Sequence, residues 1–297
     1  MKPTSVIFLV VSVLLIIAGL ITVGVANKLA VSEGVVIIEN ANSEDSVFSY
    51  DYASGNVAKI VVNIKNANVN IIGGSAKSYV ELVNFFEGTY DLSCQNRILT
   101  VSDLSDFSSI EGIGSFITGF KGLRSAVNYY NARELEKTVN IYINPADPVN
   151  VAECTVSEGN VNISSVYHSA DYIVNIGRGD LVMAAVETGS KVKARIEDGG
   201  ISITDCRIAN LAADIGSGSI NAAAKLYSVD VDIEAGDFNY YCNEPLGIAS
   251  YAMVSASGSI TVNGENFGGY RVEENLSTEN KLDVSIGVGN IVITSRE

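Results

Sequence analysis

Apolar and polar residues alternate along most of the chain, and from Glu158 onward a short phrase recurs: EGNVNI, GRGDLVM, EDGGISI, GSGSINA, EAGDFNY, ASGSITV and GVGNIVI. Its key glycines are Gly159, Gly179, Gly199, Gly218, Gly236, Gly258 and Gly289, so the gaps run 20, 20, 19, 18, 22 and 31 residues. Two and four residues after each glycine stands an apolar pair, such as Val161 and Ile163 or Ile201 and Ile203. Positions −7, −5 and −3 are also largely apolar, as in Val192, Ala194 and Ile196, whereas the Gly258 copy drifts from this register. A period of two predicts strands with one buried face. Positions −3 and +2 are an odd number apart, so one continuous strand would send them to opposite faces. Each repeat is therefore expected to turn a corner at its glycine, which reaches φ > 0 without a Cβ penalty.

One such unit cannot bury its apolar face alone. Copies stacked at ~4.8 Å would pair every strand with its counterparts above and below and close a continuous core. The predicted fold class is all-β, a parallel β-helix or β-solenoid over residues 29–297. A sandwich of antiparallel hairpins also shows turn signals at short intervals and is the alternative. Ile60, Val62, Ile64, Val69 and Ile71 repeat the inward pattern with Ala67 in the glycine position, and residues 138–144 read as another strand. Arg195 and Asp214 share position −4 in successive copies and are expected one strand spacing apart.

Two stretches break the rhythm: an irregular insertion at 104–137 and a shorter one at 265–279. In the first, Ile110, Ile113, Ile117, Phe120 and Val127 share one helical face, although four glycines weaken any helix there. A cap or flap over the core is expected, because solenoid ends expose unpaired strands; a segment touching lipid is the other reading.

The N-terminus changes the picture. Residues 5–26, SVIFLVVSVLLIIAGLITVGVA, carry no charge over 22 positions. About 20 helical residues cross a bilayer, whereas a secretory apolar region has about 7 to 15. Residues 1–4 are thus expected to be a cytoplasmic tail and 5–26 a transmembrane signal-anchor helix, with the bulk of the chain outside the membrane. Gly24-Val25-Ala26 would serve a signal peptidase, so cleavage stays open.

Nineteen basic residues against 34 acidic ones give a formal charge of −15, which repels nucleic acid. Four prolines, 27 glycines and no tryptophan fit many short strands turned by glycine.

The anchor followed by Gly-[Asn/Asp/Ser]-Φ-x-Φ repeats, as in GNVNI, GDLVM, GSINA and GSITV, resembles the bacterial "putative adhesin" family of β-strand-repeat domains of unknown function, over roughly residues 35–297. The resemblance implies an exported right-handed β-solenoid at a bacterial cell membrane, single-pass, with adhesion or envelope-stress roles by analogy. It brings no catalytic residues with it.

Candidate chemistry is sparse. Arg178-Gly179-Asp180 spells RGD, but Gly179 is a corner glycine and Asp180 fills the slot held elsewhere by Asn160, Ser219, Asp237, Ser259 and Asn290, so the repeat accounts for the tripeptide. Asp230, Asp232 and Glu234 alternate along one strand and are weak metal or general-acid candidates, with a solvated acidic face as the plainer reading. His168, the lone histidine, lies in a return between copies beside Ser164, Ser165 and Ser169, and reads as a turn residue. Cys94, Cys154, Cys206 and Cys242 show no CxxC spacing; Cys154 falls at an inward −5 position, and Cys206 and Cys242 lie two coils, ~10 Å, apart, beyond disulfide reach. Tyr129-Tyr130 and Tyr240-Tyr241 would be glycan-stacking platforms if exposed, though Tyr240 is expected to point inward. No cofactor and no catalytic residue is assigned.

Three functions remain: a non-catalytic adhesin-like or scaffold module meeting a cell-envelope, glycan or protein partner; a polysaccharide-active enzyme on the same scaffold; and an accessory of envelope-stress signalling. The first two part on whether one groove unites two carboxylates, basic residues and exposed aromatics.

Overall fold

The structure, a computed structural model, describes residues 47–51, 57–85, 90–103, 135–146, 148–242, 250–273 and 281–295. Apart from Leu135 these belong to one compact unit, Asp45–Phe85, Tyr90–Ser105 and Glu136–Glu297; the other unit, Met1–Glu44, Phe86–Thr89 and Asp106–Leu135, otherwise lies outside the described residues. The expected anchor at 5–26, most of the 104–137 insertion with its proposed helical face, and Tyr129-Tyr130 therefore fall outside them. Among the described residues no helix is long and apolar enough to cross a membrane.

The described residues are all-β. The first seven strands are β1 (Val47–Asp51), β2 (Lys59–Asn66), β3 (Asn68–Ile72), β4 (Tyr79–Val83), β5 (Tyr90–Gln95), β6 (Ile98–Asp103) and β7 (Thr138–Tyr142). The repeats supply β8 (Val151–Glu158), β9 (Val161–Ser164), β10 (Asp171–Arg178), β11 (Leu181–Ala184), β12 (Glu187–Asp198), β13 (Ile201–Ser217) and β14 (Ile220–Ala235). Then come β15 (Phe238–Cys242), β16 (Ser250–Ser257), β17 (Ile260–Val262), β18 (Glu265–Asn266), β19 (Tyr270–Glu273), β20 (Lys281–Val288) and β21 (Ile291–Ser295).

Strands ahead of the corners form one parallel ladder, β6–β2–β8–β10–β12–β13–β14–β20–β16. Strands behind them form a second, β7–β3–β9–β11–β13–β14–β15–β21–β17. The inward columns follow the predicted register: Tyr172, Val174, Ile176, Leu181 and Met183 around Gly179 are at most 2% exposed, as are Ile60, Val62, Ile64, Val69 and Ile71 around Ala67. Parallel pairing of equivalent residues rules out the hairpin sandwich.

The Gly258 copy keeps the register that its sequence had blurred. Tyr251, Met253 and Ser255 pair with Leu282, Val284 and Ile286, and Ser255 is 4% exposed. Its hydroxyl donates to the Gly289 carbonyl at 2.7 Å, which satisfies a polar group in an apolar column.

Stacking order departs from chain order at both ends. The last coil, β20 and β21, enters between the Gly236 and Gly258 coils, while the Ala67 coil lies between the Gly159 coil and a level made of β6 and β7. Antiparallel strands finish each end: β5 on β6 and β4 then β1 on β7 at one, β19 on β16 and β18 on β17 at the other. These blunt the open edges. The stretch expected to be an irregular insertion at 265–279 thus holds two edge strands.

The shrinking repeat length has a local cause. Between Thr188 and Lys191 the pairing shifts so that two residues of β12 face one of β13, which makes the next coil 19 long. Between Thr204 and Arg207 a second shift removes one residue from β14, giving 18. The residue lost there is the one that makes a second corner: Ser165, Ala185 and Asp205 hold φ of 56°, 53° and 52° in successive coils, and inward Ala224 matches the buried Cys206 that follows.

Candidate functional site

The corner organises everything around it. Gly159, Gly179, Gly199, Gly218, Gly236 and Gly289 have φ between +137° and +147°, and a Cβ on any of them would lie 1.7 to 2.2 Å from the carbonyl oxygen of the corner residue one level below. Gly258 lacks the positive φ but meets Gly289 in the same way, at 1.8 Å. Ala67, in the coil beside β6 and β7, holds the corner position without a positive φ and is 3% exposed.

The residue after the glycine carries a hydrogen-bonded ladder. The Asn160 N–H donates to Asn68 Oδ1 (2.9 Å), Asp180 N–H to Asn160 Oδ1 (2.9 Å) and Gly200 N–H to Asp180 Oδ1 (2.7 Å). Gly200 has no side chain to offer, and the ladder restarts at Ser219: Asp237 N–H donates to its Oγ (3.0 Å), Asn290 N–H to Asp237 Oδ1 (2.7 Å) and Ser259 N–H to Asn290 Oδ1 (3.1 Å). Both charged members of RGD are engaged in such stacking. Asp180 serves the ladder, and Arg178 stands 3.3 Å from Glu158 and 3.9 Å from Asp198.

The outer face of the first ladder is charged. Arg195 and Asp214 are 3.9 Å apart, as their shared position requires, and both are more than 60% exposed, so the pair contributes little. A polar groove of about 710 Å³ runs beside the corner, lined by Lys65, Glu158, Arg178, Arg195, Glu197 and Asp198 over a floor that includes Ser157 and Gly177. It unites carboxylates with bases, but no aromatic side chain lines it. Asp230, Asp232 and Glu234 stand on the outer face of β14, spaced roughly 7 Å apart by strand rise. Among the described residues no three His, Cys, Asp or Glu side chains are placed to hold a metal ion, so these candidates do not converge.

The outer face of the second ladder is its opposite. In stacking order one column reads Asn140, Asn70, Asn162, Val182 and Ser202, then Asn221, Asn239, Val292 and Thr261. The neighbouring column reads Tyr142, Ile72, Ser164, Ala184 and Thr204, then Ala223, Tyr241 and Thr294. Neither holds a charged residue across about 38 Å of stack. Amide ladders run along it: Asn162 Nδ2 to Asn70 Oδ1 (2.8 Å), Asn70 Nδ2 to Asn140 Oδ1 (2.7 Å) and Asn239 Nδ2 to Asn221 Oδ1 (2.9 Å). Glu81 bounds it, accepting from Asn140 Nδ2 at 2.9 Å. Tyr240 points inward at 6% exposure and Tyr241 outward at 42%, so one ring of the predicted platform is presented. The signal for this face was present in the sequence as missing charge at +3 and +5.

Buried polar groups lie elsewhere. His168 Nε2 is buried without a hydrogen-bond partner, and burial lowers the imidazole's pKa against the opposing effect of a hydrogen bond with the Val149 backbone. Cys154 is fully buried at its inward position, with its thiol pushed up to about 12 by burial; burial likewise raises Tyr172, whose hydroxyl lacks a partner. None of the four cysteines forms a disulfide. Asp103 and Lys137, at the two ends of the long insertion, form a buried pair at 3.9 Å, with the ammonium 5.4 Å from the Phe85 ring centre.

Stacked parallel coils, glycine corners and ladders on the outer faces define an all-β solenoid-like protein. The sequence model of the Toastrack DUF4097 family matches residues 57–294, and the chain belongs to that family. Similar solved structures include a "putative cell adhesion protein" from Clostridium sporogenes, 14% identical with a TM-score of 0.40, covering 85% of this chain and all (100%) of that one. A "putative adhesin" from Bacteroides fragilis is 13% identical, TM-score 0.47, covering 84% and 97%. Another from Parabacteroides merdae is 12% identical, TM-score 0.41, covering 86% and 98%. Comparison with curated proteins gave no match.

Proposed function

We propose that this Toastrack chain is a membrane-anchored, extracytoplasmic, adhesin-like interaction module that acts without catalysis. The uncharged segment 5–26 is the single-pass anchor to a bacterial cell membrane, and the coils wind right-handedly, as nearly all parallel crossovers do. The observation that carries the non-catalytic reading is the state of the charged groove. Glu158 and Asp198 flank Arg178 two levels apart, each more than half exposed, whereas a general-acid carboxyl is held in an apolar pocket.

A membrane-impermeant maleimide tests the placement, because Cys94 is exposed. Intact cells carrying the full chain are expected to show labelled Cys94 in the membrane fraction, and envelope material is expected to be retained by the detergent-solubilised protein. Labelling only after lysis, or turnover of any polysaccharide by the purified chain, would overturn the reading.

A further inference from the structure

We infer that the uncharged face centred on Tyr241 is a binding site for a neutral glycan chain; this rests on the interaction-module reading above and gives it a partner class. A hollow of about 290 Å³ lies on the outer face around Tyr240 and Tyr241, lined also by Ser202, Thr204, Asn221 and Asn239. Tyr241 sits between Ala223 and Thr294 in its column. Both neighbours are small, so they leave the tyrosine ring standing above them. Such a ring offers an apolar platform to the C–H face of a sugar.

The polar groups around it match hydroxyls rather than ions. Asn221 and Asn239 spend one donor and one acceptor on each other, and each amide retains further capacity. Hydroxyls of Ser202, Thr204 and Thr294 stand beside them. These groups repeat at roughly 4.8 Å between levels and roughly 7 Å along each strand, a flat lattice suited to an extended polymer.

Charge selects the class. The chain carries −15 overall, which repels polyanions at long range. The face itself has no cation to pair with a uronate, sulfate or phosphate. A neutral saccharide meets neither repulsion nor the cost of stripping water from an ion. A protein partner would anchor on buried aromatic and arginine hot spots, whereas in this hollow the one outward-facing ring, Tyr241, stands among amides and hydroxyls.

The test uses the detergent-solubilised full chain over surfaces bearing neutral hexasaccharides (β-glucan, N-acetylated chitin, mannan and xylan) and an anionic polygalacturonate hexamer. Wild type is expected to bind at least one neutral hexamer and not the anionic one. Tyr241→Ala is expected to weaken that binding by roughly tenfold or more, the loss of one stacking contact. Thr204→Asp, which puts a charge on the face, should do the same, while Asp232→Ala on the charged face leaves it unchanged; thermal unfolding confirms that each variant is folded. Absence of binding to every neutral hexamer, preference for the anionic one, or full affinity in Tyr241→Ala would overturn the assignment. If those fail while Cys94 labelling and envelope capture hold, the glycan site falls and the interaction module stands.

Discussion

Replacing Gly199 by alanine isolates the corner's contribution. Gly199 has φ of +144°, and a Cβ there would lie 1.9 Å from the Gly179 carbonyl oxygen and 2.6 Å from its carbon, both backbone atoms that no rotamer change can move. The unfavourable φ costs about 1 to 3 kcal/mol. Relief of the overlap needs the two levels to part by roughly 1 Å, because real Cβ contacts stay beyond ~3 Å. That strains the hydrogen bonds from Gly179 N–H to Asp198 O and from Leu181 N–H to Gly200 O, both 2.9 Å. At about 1 kcal/mol each these bring the predicted loss to about 3 to 5 kcal/mol, a large share of the ~5 to 15 kcal/mol that holds a domain together. Gly264→Ala is the control, since Gly264 also has positive φ (+84°) but nothing within 4 Å of its Cβ position. It should cost only about 1 to 2 kcal/mol. Urea unfolding of the full-length variants, followed by far-ultraviolet circular dichroism, measures both. Equal midpoints for Gly199→Ala and Gly264→Ala would refute the argument from stacking.

Other expectations test separate features. In the ladder, Asp180→Asn keeps the acceptor for Gly200 N–H and should preserve stability, whereas Asp180→Ala should lose about 1 kcal/mol in the same urea assay. Asp103→Ala leaves the buried Lys137 ammonium uncompensated and should cost about 3 kcal/mol or more, while Asp103→Leu with Lys137→Met should cost less than either change alone in a double-mutant cycle. For His168 the folded pKa is lowered by burial, so the unfolded chain binds the proton first as pH falls. Stability should be full above about pH 6.5 and decline as pH drops from there through the folded pKa. His168→Gln should flatten that slope in unfolding curves taken between pH 7.5 and about 4.5. Among the cysteines, a thiol reagent at neutral pH should modify exposed Cys94 in the native protein and reach Cys154, whose thiol is pushed up to about 12, only after unfolding.

Much of this was legible in one dimension because a solenoid repeats its local rule. The odd spacing between Ile196 and Ile201 demanded a corner, and Gly199 was the residue able to make it. Arg195 facing Asp214 followed from shared position alone, as did the explanation of RGD as an accident of the repeat. The second corner was invisible because Ser165, Ala185 and Asp205 take left-handed backbone without a glycine to announce it. Ser255 hid the Gly258 register, since its polarity is neutralised by a carbonyl 34 residues away in sequence.

The amino-acid order by itself determined the coil: which residues face inward, where the chain turns, and that one outer face would be charged and the other not. These depend on neighbours within a few residues, where alternation and backbone freedom decide the outcome. The order in which coils stack was decided only in three dimensions. Inward columns of isoleucine, valine and leucine match one another nearly equally well, so pairing energy alone does not distinguish the level beside β14 from the level beside β16. Entry of the last coil between them, and of the Ala67 coil between β6 and β8, depends on connections and end-capping strands far apart in sequence. That arrangement sets β21, with Val292 and Thr294, beside Tyr241 and so completes the face on which the proposed glycan would lie.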